Sequence, residues 1–212
     1  KFNFFAEQFE DIKVLRYQVP GFEELTLKQK KLVYFLTEAG LAGRDIMYDQ
    51  NYRHTLSIRR ALENVYSKYD GDKENSNWKS FEIYLKRIWF SNGIHHHYSN
   101  DKFVPGFSNE YLQSLLSDTE TSLNSDALDI IFDDSDSKKV NRDASKGLVI
   151  GSAVNFYGED VTEQDVDTFY SILKSPDPKK PLSLGLNSKL VKEDGKLMEK
   201  IYRVDGMYSN SI

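Results

Sequence analysis

Three consecutive histidines, His95, His96 and His97, have the clearest capacity for chemistry in this chain. They sit within Asn92 to Pro105, NGIHHHYSNDKFVP, after an aromatic helical segment and before a proline that keeps the backbone extended. Imidazoles bind metals, but adjacent ones serve a single ion poorly. In an extended segment neighbours point to opposite faces, and on a helix they fan out by ~100° each. Zinc sites take ligands from spaced positions instead, such as i and i+4 of a helix. The fourth histidine, His54, is far off in sequence, so the run is not expected to form a metal site by itself.

Other catalytic constellations are also missing. There is no His-Glu-x-x-His helix and no Gly-x-Ser-x-Gly elbow. Gly40-Leu41-Ala42-Gly43 lacks the lysine and hydroxyl of a phosphate-binding loop. Asp133, Asp134 and Asp136 lack the glycine and glutamate of a calcium loop. Cysteine is absent, which removes disulfides, thiolate nucleophiles and cysteine-ligated metals together. A net charge of -5 without a basic block argues against nucleic acid. No apolar run approaches the ~20 residues of a membrane span.

The elements that must position the histidines read as helices. Thr26 and Gln29 form a capping box, followed by an apolar face of Leu27, Leu32, Val33, Phe35 and Leu36 to about Glu38. Gly40 and Gly43 are expected to break that helix, and a second segment carries Ile46, Met47 and Tyr48. His54 to Tyr69 continues at helical spacing. After a polar turn with Ser76 and Asn77 as cap candidates, Trp78, Phe81, Tyr84, Leu85, Ile88 and Trp89 line one stripe, which reads as core. Shorter helices are expected around Glu110 to Leu116 and Leu123 to Phe132, and a solvated acidic loop at Asp133 to Lys139.

Past residue 139 the period changes. Leu148 to Tyr157 is a β-rich run, Thr162 with Asp165 caps a further helix, and Ser175 to Pro181 stops it. Asn187 to Val204 reads as a hairpin turning on Asp194-Gly195. The expected fold class is α+β: a mainly helical part over residues 1–139, then a β-containing part over 140–212 built from a hairpin and strands of a partial β-barrel.

Three colinear segments carry a resemblance. Gly93 to Pro105, Asn155 to Thr162 (NFYGEDVT) and Leu186 to Glu193 (LNSKLVKE) are similar to segments of the dipeptidyl peptidase III family. There the first segment runs Gly-Asn-Tyr-x-Ser-Phe-Gly-Asp and then Lys-Phe-Val-Pro, the second Tyr-Phe-Ser-Gly-Asn-Cys-Thr, the third Asn-Thr-Arg-Leu-Phe-Lys-Glu. Gly43 to Asn51 (GRDIMYDQN) adds a bacterial-looking stretch. The resemblance implies a zinc exopeptidase that removes dipeptides from the N-terminus of short peptides. It implies two lobes about a wide cleft, with peptide added as a strand to the barrel edge. The zinc would sit on a His-Glu-x-x-x-His motif in a second lobe beyond residue 212. A zinc-bound water would attack the second peptide bond with a glutamate as general base.

On that reading this chain is the N-terminal portion of the substrate lobe, inactive alone and holding no metal. Its partners are short peptides and the zinc lobe, and apolar surface left uncovered would favour a dimer of the isolated piece. At the family's Asn-Tyr-x-Ser-Phe positions this chain has Ile94, His95, His96, His97 and Tyr98. Tyr98 keeps the aromatic character and is the candidate cleft-facing residue. The polar roles pass to His95 and His97, with Asn100 beside them. The alternative is a stand-alone peptide- or protein-binding module. The chain starts at Lys1 and is expected to be a piece of a longer, cytoplasmic protein whose own start, with any export signal, lies upstream.

Overall fold

The computed structural model describes residues 2–135, 145, 147, 149, 155–173, 177, 179–180 and 188–202. The fold is α+β, with a helical body and small antiparallel sheets. It begins with an element that the helical reading of the first half did not include. Strands β1 (Phe5–Phe9) and β2 (Ile12–Leu15) form a hairpin that turns at Glu10-Asp11, where Glu10 takes φ 47°. No glycine or asparagine marks this turn. Ion pairs from Lys86 to Glu7 and from Arg87 to Glu10 and Asp11 hold the hairpin against a later helix.

Helix α1 (Leu27–Ala42) starts at Thr26, whose hydroxyl and the Gln29 side chain satisfy each other's backbone amides in the expected capping box. It runs through Gly40 and ends only at Gly43. A single interior glycine costs ~1 kcal/mol relative to alanine and does not terminate a helix. α2 (Arg44–Asn51) and α3 (Thr55–Lys68) follow. The cap of α4 (Ser76–Ser91) is Asn75 and not Ser76 or Asn77. Asp72 accepts from the Glu74 amide in the preceding turn, Asn75 is left extended, and its side chain accepts from the Trp78 amide at 2.8 Å. α5 (Asn109–Asp118) and α6 (Ser125–Phe132) complete the body, each capped by its preceding Ser108 or Asn124.

The core lies where α3 packs against α2, α4, α5 and α6. Ile58, Leu62 and Val65 of α3 and Phe81, Leu85 and Ile88 of α4 are fully inaccessible. Trp78 stacks on Tyr69 at 4.5 Å, and Phe107 abuts Phe81 and Tyr84 at 5.9 and 5.6 Å. Trp89 closes the expected stripe only in part: it is half-buried, and its indole N–H donates to Glu63 at 2.8 Å.

In the second half, α7 (Glu163–Ser171) has the expected Thr162–Asp165 capping box. β3 (Ser188–Glu193) and β4 (Lys196–Ile201) pair in register about Asp194 (φ 50°) and Gly195 (φ 74°), the left-handed pair of a type I′ turn. A parallel bridge joins Tyr157 to Leu190. Lys192 clasps Asp165 at 2.8 Å, tying α7 to the hairpin. Among the described residues the β part is thus a hairpin with one added bridge. Most of the expected strand at Leu148 to Tyr157 lies outside the described residues, as do most of Ser175 to Pro181, the boundary at 139–140, and positions 187, 203 and 204. No helix among the described residues is long and apolar enough to cross a membrane.

Candidate functional site

The two halves meet at the C-terminal end of α2. There Asp49, 5% exposed, accepts the Tyr202 hydroxyl at 2.6 Å and the Asn155 amide group at 3.3 Å. Lys189 Nζ donates to Asn155 Oδ1 at 2.5 Å, and the Asn155 backbone N–H donates to the Gln50 carbonyl at 3.1 Å. Gln50 in turn donates to the Ser188 carbonyl at 3.4 Å. Burial lowers the pKa of Lys189; the Asp49 and Glu159 carboxylates oppose that shift, and Arg53 adds to it.

The histidine segment is set by how α4 ends. Asn92 adopts left-handed backbone (φ 54°), and the Gly93 N–H reaches back to the Ile88 carbonyl at 3.0 Å, the six-to-one bond of a Schellman ending. Asn51 Nδ2 donates to the Asn92 carbonyl at 2.7 Å and pins the exit. Ile94 to Phe103 then doubles back. Phe103 N–H donates to Ile94, His96 N–H to Asp101 and Asn100 N–H to His96, at 2.8, 2.7 and 3.0 Å.

This loop divides the four candidate residues. His95, opposite Lys102 at the base, is fully buried, its ring perpendicular to Tyr52 at 5.1 Å, so it faces the core and not a cleft. His97 is exposed, and Tyr98, 83% exposed, packs on it at 4.3 Å. Asn100 is half-buried with φ 61°, the residue that lets the loop reverse. His96 Nδ1 accepts from the backbone N–H groups of Tyr98 and Ser99 at 3.2 and 3.1 Å, which fixes its tautomer with the proton on Nε2.

His97 borders a concavity of about 360 Å³ lined also by Met47, Gln50, Asn51, Ser91, Asn92 and Phe156. Helices α2 and α4, the histidine loop and the β part all contribute to it. Among the described residues its lining has three carboxamides, a hydroxyl and an imidazole, and no carboxylate, ammonium or guanidinium. The Ser91 hydroxyl lies 3.4 Å from His97 Nδ1. Desolvation of the ring where it borders the concavity, and secondarily the neighbouring His96, lower the His97 pKa and favour its neutral ring. A neutral ring offers one donor and one acceptor nitrogen. Such a surface suits uncharged amide groups.

The same residues do not fit a zinc ion. His95 points into the core, His96 Nδ1 already accepts two N–H groups, and the His96 and His97 rings lie tilted against each other at 4.6 Å. Among the described residues, no three His, Asp or Glu side chains are grouped as metal ligands.

Asp49, Gln50, Asn51, Asn155 and Lys189 fall within segments whose sequence assigns them no role. For Asp49, Gln50 and Asn51 the one local signal is a run of three polar residues after Ile46, Met47 and Tyr48.

The site is sensitive at Gly93. A Cβ there would lie 2.8 Å from Asn51 Nδ2 and 3.2 Å from Thr55 Cγ2. Gly93→Ala is expected to cost about 1–3 kcal/mol and to break the Asn51–Asn92 tie. For a chain of this size each kcal/mol corresponds to about 2–4 °C in melting temperature. Faster amide exchange at His96 and Phe103 would locate the damage in the loop, and an unchanged exchange pattern would refute this account. Comparison of the chain with protein-family models and with curated proteins returned no match.

Proposed function

We propose that this chain is the N-terminal portion of the substrate lobe of a zinc-dependent dipeptidyl peptidase of the dipeptidyl peptidase III type. Its part is to hold a short extended peptide while a second lobe of the same polypeptide carries out hydrolysis. The observation that supports this reading best is the amide-rich concavity bordered by His97. It falls beside Gly93 to Pro105 and Asn155 to Thr162, two of the segments that carry the resemblance. Peptide backbone presents N–H and C=O groups in alternation, and Asn, Gln, Ser and neutral His can answer both. Tyr98 lies open to the solvent beside this concavity and supplies an aromatic platform. Zinc belongs to the second lobe, and no step through it is assigned to the residues described here. The enzyme is assigned to the cytoplasm.

Tetra-alanine titrated into the 212-residue chain is expected to shift the amide signals of Ser91, Asn92 and His97. The affinity should be constant while His97 is neutral. It should weaken about three- to tenfold as pH falls through the lowered His97 pKa, because a protonated ring has no acceptor for a peptide N–H. His97→Ala should remove that pH dependence. An affinity that rises on acidification would contradict the assignment. A dipeptidyl arylamide should be cleaved by the longer native polypeptide and not by this chain, so turnover by the chain alone would defeat the reading.

A further inference from the structure

The β1–β2 hairpin is fastened to α4 at its turn, and the fastening is ionic. Lys86 holds Glu7 at 2.6 Å, and Arg87 holds Glu10 at 2.5 Å and Asp11 at 2.8 Å. The five side chains stay between 21% and 76% exposed. Such pairs contribute little each, and they weaken as salt screens them. Apolar packing adds no firm anchor. Phe9, Ile12 and Val14 are half-buried, Phe5 and Leu15 are exposed, and no side chain of either strand is buried. A two-stranded hairpin is also marginal by itself. Glu10 stands at a left-handed turn position, φ 47°, which favours glycine or asparagine. A glutamate there weakens the turn and sets a carboxylate on Arg87.

Glu10 and Arg87 share the wall of a cavity of about 120 Å³ with Ser80, Tyr84 and Val104. Among the described lining residues Glu10 alone comes from the hairpin, and the rest lie between Ser80 and Gly106. Lifting the hairpin therefore opens this cavity and leaves its other walls in place. Tyr84 is 2% exposed, and its buried hydroxyl has no hydrogen-bond partner among the described residues. An unpaired buried hydroxyl disfavours the closed arrangement, and water entering an opened cavity would satisfy it. Glu82 of α4 already stands 3.2 Å from Lys86, so Lys86 keeps a carboxylate when Glu7 leaves. We propose that the hairpin is an ionic latch over the Tyr84 cavity. It lies on α4 while its three carboxylates hold Lys86 and Arg87, and it lifts when salt or a competing anion takes their place. Ionic strength then sets the ratio of closed to lifted chains. This inference does not rest on the peptidase reading.

The absence of cysteine makes a direct test possible. Spin labels at Lys13→Cys on β2 and Lys79→Cys on α4 sit at exposed positions and leave the five latch charges intact. In the 212-residue chain at about 10 mM salt, the labels should give one narrow distance. At about 1 M salt, roughly half or more of the molecules should move to longer, broader distances. Arg87→Glu should show the broad distribution already at low salt. Adding Glu10→Lys and Asp11→Lys to that variant should restore the narrow distance. Glu10→Gln with Asp11→Asn leaves α4 untouched and should also lift the hairpin at low salt. Maleimide should modify Ile83→Cys, a cavity wall, about tenfold faster at about 1 M salt, while an exposed Glu74→Cys reference should not change.

A distance that stays narrow at high salt and in the Glu10→Gln, Asp11→Asn variant overturns the latch. So does a charge swap that leaves the distribution broad while the helical circular dichroism matches the parent. A hairpin that lifts without faster reaction at position 83 overturns its role over the cavity. Peptide binding beside His97 is read separately, by the amide shifts of Ser91, Asn92 and His97. Loss of those shifts with a salt-dependent hairpin would defeat the peptide reading and keep the latch, and the converse result would do the reverse.

Discussion

Asp49→Ala is expected to uncouple the β part from the helical body while the helices stay folded. The substitution removes the acceptor of the Tyr202 hydroxyl and of the Asn155 amide, and with it a carboxylate that supports the charged form of Lys189. Hydrogen bonds to a charged group contribute about 1.5–3 kcal/mol each, and orphaning their buried partners adds to the loss. A combined cost of about 3–5 kcal/mol against docking follows. Amide exchange should accelerate at Leu190 and along β3 and β4, with little change in α3 and α4. Tyr202→Phe deletes one of the two bonds and should cost about 1–2 kcal/mol. Slowed thermal unfolding, or exchange that quickens uniformly over the chain, would refute this division. The concavity beside His97 should be damaged along with the junction, because Phe156 is one of its walls. Loss of peptide-induced shifts in Asp49→Ala would connect the two.

Phe81→Ala should act on the body itself. Its ring is fully buried, 5.1 Å from Trp78 and 5.9 Å from Phe107, and no element can collapse readily into the space it leaves. Such truncations cost about 3–5 kcal/mol, a large part of the ~5–15 kcal/mol that holds a typical domain together. The melting temperature should fall by about 6–20 °C, and exchange should quicken in α3, α4 and α5 together. Phe81→Leu, closer in volume, should cost less than about 1.5 kcal/mol. A Phe81→Ala variant as stable as the parent would mean that the aromatic stripe of α4 is not the core.

The features legible in the sequence are those made within a few residues. Thr26 with Gln29 and Thr162 with Asp165 each close a capping box over three residues, and Asp194-Gly195 imposes its own turn. The stripe from Trp78 to Ile88 needs only the helical period to mark it as core. Where several residues compete locally, the reading slips: Asn75 prevails over Ser76 because the preceding turn leaves it extended, and Gly40 stays helical because its cost is small. The β1–β2 hairpin escapes because Glu10-Asp11 carries no turn glycine.

The sequence by itself determined the α+β class, the capping boxes at Thr26 and Thr162, the core stripe of α4 and the absence of thiol chemistry. Each depends on residue type and on spacings shorter than one helical turn or one hairpin. Tertiary structure alone decided that His95 is a core residue while His97 borders an open concavity. That choice follows from the pairing of Ile94 with Phe103 and from Asn51 holding the end of α4. It alone joined Asp49 to Tyr202 across 153 residues, and it left α1 uncovered. Burial and long-range hydrogen bonds depend on which surfaces meet, and no local pattern of residues encodes that.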